Sequence, residues 1–191
     1  MMSDCHFLFE LESFIHLDMG KVDARMHELE GILGYSFRDI RNLADAMCGM
    51  KISRPHAGSN AKDLYNDSLA TVGDAVIKLV LSERLFRRGC YKGDITQIKS
   101  MVERNDSLFE LSDGIGLRDY VFNENWFYPD APPENRPAYA KHNQYFEAIT
   151  AAVFFDSNYE TCKEWLTERF FTEEYLDHLI EEFRRMQEKI S

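Results

Sequence analysis

The stretch YNDSLATVGDAVIKL, residues 65–79, sets a Gly-Asp pair inside a strongly apolar run. Asp67 lies seven residues before Asp74, so on an α-helix the two carboxylates share a face about two turns apart. Asp67, Ala70 and Asp74 form one stripe, while Leu69, Val72, Val76, Val80 and Leu81 form the side expected to be buried. Gly73 costs such a helix about 1 kcal/mol relative to alanine. Its presence inside the run predicts a neighbour packed very close to it. The plainer alternative is a solvated acidic face beside a helix crossing.

The neighbour is sought in NQYFEAITAAVFF, residues 143–155, where Gln144 and Glu147 share a face and Phe146, Ile149, Ala152 and Val153 point inward. The small residues Ala148, Ala151 and Ala152 would let this helix lie close to Gly73. Glu147 is then an acid at the edge of an apolar surface, and such a carboxylate needs a partner. A hard divalent cation is one of the few partners that satisfies several carboxylates at once. Asp74 and Glu147 facing each other would suit Mg²⁺, an ion that activates water and stabilises a leaving oxygen in phosphodiester hydrolysis.

Helical periodicity extends over nearly the whole chain. Leu29, Ile32, Leu33, Phe37, Ile40, Leu43 and Met47 recur at steps of three and four, broken at Gly34-Tyr35-Ser36, with Ser36 as the expected N-cap. Cys48 to Lys62, carrying Pro55, Gly58, Ser59 and Asn60, is expected as a loop. A long helix follows from about Asp63 to Arg88, closed by Gly89. Another opens near Asp94 and runs through Val102, and a short one is capped by Asn105 or Asp106 and stopped at Gly114. The polar stretch Asn123 to Pro137, with Trp126, Phe127 and Tyr128, is too long for a plain connector and is expected near a working site. Three more helices complete the chain. No strand pair is evident, so the fold class expected is all-α.

With 191 residues the chain suits one domain with a real core. The four cysteines are scattered without Cys-x-x-Cys spacing, which points to reduced thiols in a cytoplasmic protein. The N-terminal stretch has no basic n-region and is interrupted by Asp4, Glu10 and Glu12, so neither a signal peptide nor a membrane span is expected. His27, His56, His142 and His178 lack metal-ligand spacing. A net charge of −11 argues against non-specific attraction to phosphate. Residues 61–110 are nevertheless balanced, with eight basic and eight acidic side chains, so much of the acid lies elsewhere. Lys78, Arg84, Arg87, Arg88, Lys92 and Lys99 are the candidate phosphate contacts; the alternative for each is an ordinary ion-paired surface.

Four ordered segments carry a family resemblance. ELEGILGYSFRDIRNLADAM, YNDSLATVGDAVIKLVLSERLFRRG, SMVERNDSLFELSDGIGLRDYV and QYFEAITAAVFFDSN resemble, in order and spacing, the motifs of the ribonuclease III domain, from about His27 to Phe171. The resemblance implies a helical homodimer, a Mg²⁺ (or Mn²⁺) site, and double-stranded or structured RNA as substrate. Residues 1–26 are then an N-terminal helical extension, 27–171 the ribonuclease III-like domain and 172–191 a C-terminal helix. Of the family's four metal carboxylates two match, Asp74 and Glu147. Ala70 and Gln144 stand at the other two positions, and Asp67 matches the acid of the family's Asn-Glu pair. LATVGDAV and Phe146-Glu147-Ala148 resemble the Mini-ribonuclease III branch, which cuts duplex RNA without a separate RNA-binding domain; none is expected after Ser191 either. The site implied is Asp74, Glu147 and Asp67 as catalytic acids, with Asp74, Glu147 and Gln144 at the metal and Arg84, Arg87, Arg88, Lys92 and Lys99 on RNA. A catalytically impaired scaffold or RNA-binding subunit is the alternative.

Overall fold

A computed structural model describes residues 19–48, 52–56, 59–64, 66–102, 105–121 and 144–189 of the protein. Among the described residues there are eight α-helices and one 3-10 turn: α1 Met19–Leu33, α2 Ile40–Ala46, α3 Asp67–Arg87, α4 Lys92–Val102, α5 Asn105–Gly114, the 3-10 turn Leu117–Tyr120, α6 Tyr145–Asp156, α7 Tyr159–Arg169 and α8 Glu173–Glu188. The all-α expectation holds apart from one hairpin. None of the described helices is long and apolar enough to cross a membrane.

The expected loop from Cys48 to Lys62 contains that hairpin, with β1 Ile52–His56 antiparallel to β2 Ser59–Leu64. Ile52 pairs with Leu64, Ser53 with Asp63 and Arg54 with Lys62, and the register shifts between Arg54 and His56. Pro55, which cannot donate to a ladder, sits at that irregularity. Asp63 and Leu64 belong to β2, so the long helix starts at Asp67 rather than near Asp63.

Helices α3 and α6 form the most extensive helix pair, and the core is built around it. From α3 the core takes Ala70, Val76, Ile77, Val80, Leu81 and Leu85; α6 adds Phe146, Ala148, Ile149, Ala152 and Val153. Leu69 and Val72, expected inside, are only half-buried. Phe146 is fully buried and meets Phe170 edge-on at 4.9 Å between ring centroids, and Trp165 meets the same Phe170 at 5.1 Å. This cluster ties α6 to α7 beneath Glu147. The Trp165 indole also donates to the Leu33 carbonyl at 2.9 Å, and the Arg169 guanidinium donates to that of Ile32 at 2.7 Å. Two orphan carbonyls at the end of α1 are thereby satisfied from a helix 132 and 137 residues away in sequence.

The turn from α1 to α2 is held by a buried acid. The Asp156 carboxylate, at the end of α6, accepts from the Tyr35 hydroxyl at 3.0 Å, the Arg38 amide at 2.9 Å, the Asp39 amide at 3.0 Å and the Asn42 side chain at 3.1 Å. Ser36, the expected cap, is therefore not the helix start. Asp39 is extended and its side chain accepts from the Arg41 amide, which makes it the N-cap of α2. Helix α4 likewise begins at Lys92, two residues earlier than its first acid, Asp94, suggests.

Candidate functional site

Gly73 sits against the backbone of α6. A Cβ placed there would be 2.5 Å from the Glu147 carbonyl carbon and 3.1 Å from the Ala151 amide nitrogen, with the Glu147 carbonyl oxygen closer still. No side chain fits, so the glycine sets how closely α3 and α6 approach. The neighbour predicted from Gly73 is the helix of Glu147, and the contact falls at Glu147 itself.

Asp74 follows Gly73 and Glu147 stands across the contact. Burial pushes the Glu147 carboxyl above the ordinary carboxylate range, the negative charge of Asp74 pushes it the same way, and a hydrogen bond from its own backbone amide opposes both. Asp74 is partly exposed and accepts from Lys78, one turn along α3, with Nζ to Oδ2 at 2.8 Å. The Asp74–Lys78 pair and the Glu147 carboxyl therefore lie on either side of the helix crossing.

The remaining expected residues are spread around this point. Gln144 is exposed and occupies the N-cap of α6 without a side-chain capping bond. Ala70 is buried, so the middle position of the stripe faces the core and presents only a methyl. Asp67 is exposed in the first turn of α3, and seven residues of helix put it about 10 Å along the axis from Asp74. It does not join Asp74 and Glu147 on a shared ion.

Among the described residues, no group of three or more His, Cys, Asp or Glu side chains is arranged to hold a metal ion. What remains is a hard-oxygen pair, Asp74 and Glu147, with the neutral Gln144 side chain in the preceding turn. These are the residues that could hold a hard divalent cation, and with so few charges they would hold it weakly, since such ions are bound largely through ligand charge and number.

The expected phosphate contacts divide into two sets. Arg84 donates to the Phe171 carbonyl and to Glu173, and Arg88 donates to Glu173 and Asp177. These two arginines dock the start of α8 onto the end of α3, the ion-paired alternative considered for them. Arg87 is largely exposed and pairs within its own helix with Glu83 at 2.8 Å. Lys92 is exposed at the start of α4, and Lys99 is half-buried in its last turn. The Glu83 carboxyl also accepts from Lys163 at 2.9 Å and the Tyr159 hydroxyl at 3.0 Å, and Lys163, Arg87 and Tyr159 together hold it down to about 2. Trp126, Phe127, Tyr128 and His142 lie outside the described residues.

Three positions had structural work that the sequence reading did not assign. Asp156 clamps the α1–α2 turn. The buried Asn66 side chain donates to the Ala46 carbonyl at 2.8 Å, tying the start of α3 to the end of α2. Lys78, a candidate phosphate contact by sequence, pairs with Asp74, as its spacing of four residues after an acid allows.

Residues 67–158, which run from the start of α3 to just past α6, match the Ribonuclease III domain family. Ribonuclease 3 of Rickettsia akari is 29% identical over 137 residues, covering 71% of this chain and 58% of its own. Ribonuclease 3 of Pseudomonas putida is 26% identical over 184 residues, covering 87% and 70%. The chain thus spans less than two thirds of the length of the first of these relatives. The nuclease domain of ribonuclease III from Campylobacter jejuni, in a structure concerned with flexibility in the region involved in dimer formation, superposes with a TM-score of 0.56 at 22% identity, covering 81% of this chain and 94% of that one. Over residues 67–158 the α3–α6 unit is thus similar to the Ribonuclease III domain, at low identity.

Proposed function

We propose that the protein is a divalent-metal-dependent endoribonuclease that cuts structured or double-stranded RNA in RNA processing. The observation that carries this reading is the backbone contact of Gly73 with Glu147, which sets Asp74 and Glu147 on either side of the α3–α6 crossing, where the charge of Asp74 acts on the Glu147 carboxyl. Asp74 and Glu147 hold Mg²⁺ or Mn²⁺, with Gln144 offering a neutral oxygen. The bound ion supplies an activated water and offsets charge on the phosphodiester. Asp67 serves as an outer acid that orders water at the edge of the cleft. Arg87, Lys92 and Lys99 contact phosphate, and Arg84 and Arg88 orient that surface through α8. The catalytic unit is residues 27–171, flanked by segments 1–26 and 172–191, in a cytoplasmic protein with RNA and a second copy as partners.

A homodimer is part of the reading. A-form RNA is recognised by shape, and two copies allow both strands to be reached. Helix α3 has a second apolar face besides the core-facing one: Val72, Ala75, Leu79 and Phe86 recur at helical spacing, with Leu79 53% and Phe86 72% exposed. A stripe of this kind suits a twofold contact.

The buried methyl of Ala70 and the commitment of Arg84 and Arg88 to α8 favour a second reading, a ribonuclease III-like scaffold without catalysis. Incubation of purified protein with a long RNA duplex and Mg²⁺ or Mn²⁺, beside Glu147→Ala, separates the two. The enzyme reading expects short duplex products from the unaltered protein and none from the variant. Intact RNA in every lane supports the scaffold.

A further inference from the structure

The pairing of Asp74 with Lys78 gives the site a cation of its own. Asp74 lies four residues N-terminal to Lys78, the favourable order for an acid and a base on one helix. The ammonium is 2.8 Å from Oδ2, and the two side chains are 40% and 38% exposed. Glu147 stands across the helix contact, so the group is two acids and one base.

We propose that Lys78 is the resident counter-ion of this site: its ammonium occupies the Asp74 carboxylate in the metal-free protein, is exchanged for an incoming divalent cation, and thereby sets the affinity for that cation. This inference rests on the metal-dependent reading above. Three observations lead to it. With alanine at position 70 and glutamine at 144, the candidate site keeps two acids among the described residues, Asp74 and Glu147, and Lys78 offsets the charge of Asp74. The pair is half in solvent on a flexible stem, and an exposed i,i+4 contact of this kind has little intrinsic strength against an entering ion. The ammonium contacts the same carboxylate an ion needs, which makes the two mutually exclusive on that oxygen. Binding is then an exchange of one cation for another rather than the filling of a bare acidic site.

The electrostatic consequence is measurable. Even in a water-like medium, a unit charge several ångströms from a divalent ion changes its affinity by about tenfold. Removing the ammonium while keeping an unbranched, helix-compatible side chain should therefore tighten binding.

The test is calorimetric titration of Mn²⁺ into the unaltered protein, Lys78→Met and Lys78→Arg, with thermal unfolding of each in chelator and in Mn²⁺. Lys78→Met is expected to bind Mn²⁺ about tenfold tighter. In chelator it is expected to melt below the unaltered protein, because Asp74 and Glu147 then face each other uncompensated, and to gain more from Mn²⁺. Lys78→Arg, which keeps the charge, should bind no tighter than the unaltered protein. If the unaltered protein binds Mn²⁺ and Lys78→Met binds equally or more weakly, the counter-ion assignment is overturned while the metal reading stands. If neither protein binds Mn²⁺ at millimolar concentration, the metal reading itself fails and the assignment falls with it.

Discussion

The backbone of Gly73 on α3 is in direct contact with the Glu147 carbonyl on α6, which makes the helix crossing and the candidate site one structural event. A methyl group at position 73 has to push backbone, not a flexible side chain. Gly73→Ala is therefore expected to lose about 3 kcal/mol or more in urea unfolding, outweighing the gain in helix propensity of about 1 kcal/mol. A variant as stable as the parent would contradict the contact.

Asp156 is the second position where a single substitution should be costly. Its carboxylate receives two backbone amides, a phenol and a side-chain amide while buried. Asparagine keeps the shape but turns an N–H₂ group toward donors. Asp156→Asn is expected to cost about 3 kcal/mol, against about 1 kcal/mol for Tyr35→Phe, which removes one bond only. Chemical denaturation of both variants checks the difference. Equal losses would mean that the hydroxyl contact alone holds the turn.

The clamp also explains where the sequence was readable and where it was not. Gly73 and the alanines of α6 announced a close helix pair, because a glycine inside a long helix has few other uses. The ends of elements were decided by distant partners. Ser36 and Asp39 are both good capping residues, and the choice between them is made by Asp156, whose carboxylate holds the Arg38 and Asp39 amides from 118 and 117 residues away. The hairpin was hidden because its strands carry Pro55, lysine and aspartate in place of alternating apolar residues. Within the candidate site the acids were visible as motif residues. The burial of Ala70 and the claims of α8 on Arg84 and Arg88 depend on tertiary packing and leave no local trace.

Gln144 offers a change that should register in two ways. It caps α6 without a side-chain bond, and aspartate is among the best residues for that position. Gln144→Asp is expected to add about 0.5–1 kcal/mol through capping and the helix dipole. It also adds a hard ligand beside Glu147, so half-maximal cleavage should need less Mn²⁺. Thermal melts in chelator read the first effect and a metal titration of cleavage the second. A gain in stability without a change in metal requirement would remove Gln144 from the metal set.

The arginines of α3 should separate into two kinds. Arg84→Glu breaks the bonds to Phe171 and Glu173 and is expected to lower the melting temperature by several degrees. Arg87→Glu combined with Lys92→Glu changes exposed charges, leaves the melt within about 0.5 kcal/mol of the parent, weakens duplex RNA binding and flattens its salt dependence. Electrophoretic shifts across a salt series test this. An unaltered salt slope in the double variant would place the RNA surface elsewhere.

Under the proposed function, Glu147 serves chemistry at the expense of the fold. Its carboxyl titrates above the ordinary range, so the folded state is favoured most when the group is protonated, and that stabilisation is lost as pH rises through the folded value. At neutral pH the charged side chain is a burden on the metal-free protein. Glu147→Gln removes the charge at constant volume. The most direct measurement is duplex RNA cleavage in Mn²⁺ by the unaltered protein and Glu147→Gln, paired with their melting temperatures in chelator at neutral pH. The expected result is cleavage by the unaltered protein, none by the variant, and a variant melt at or above the parent's. Cleavage by Glu147→Gln at the parent's rate, or intact duplex with the unaltered protein in both Mn²⁺ and Mg²⁺, would contradict the account.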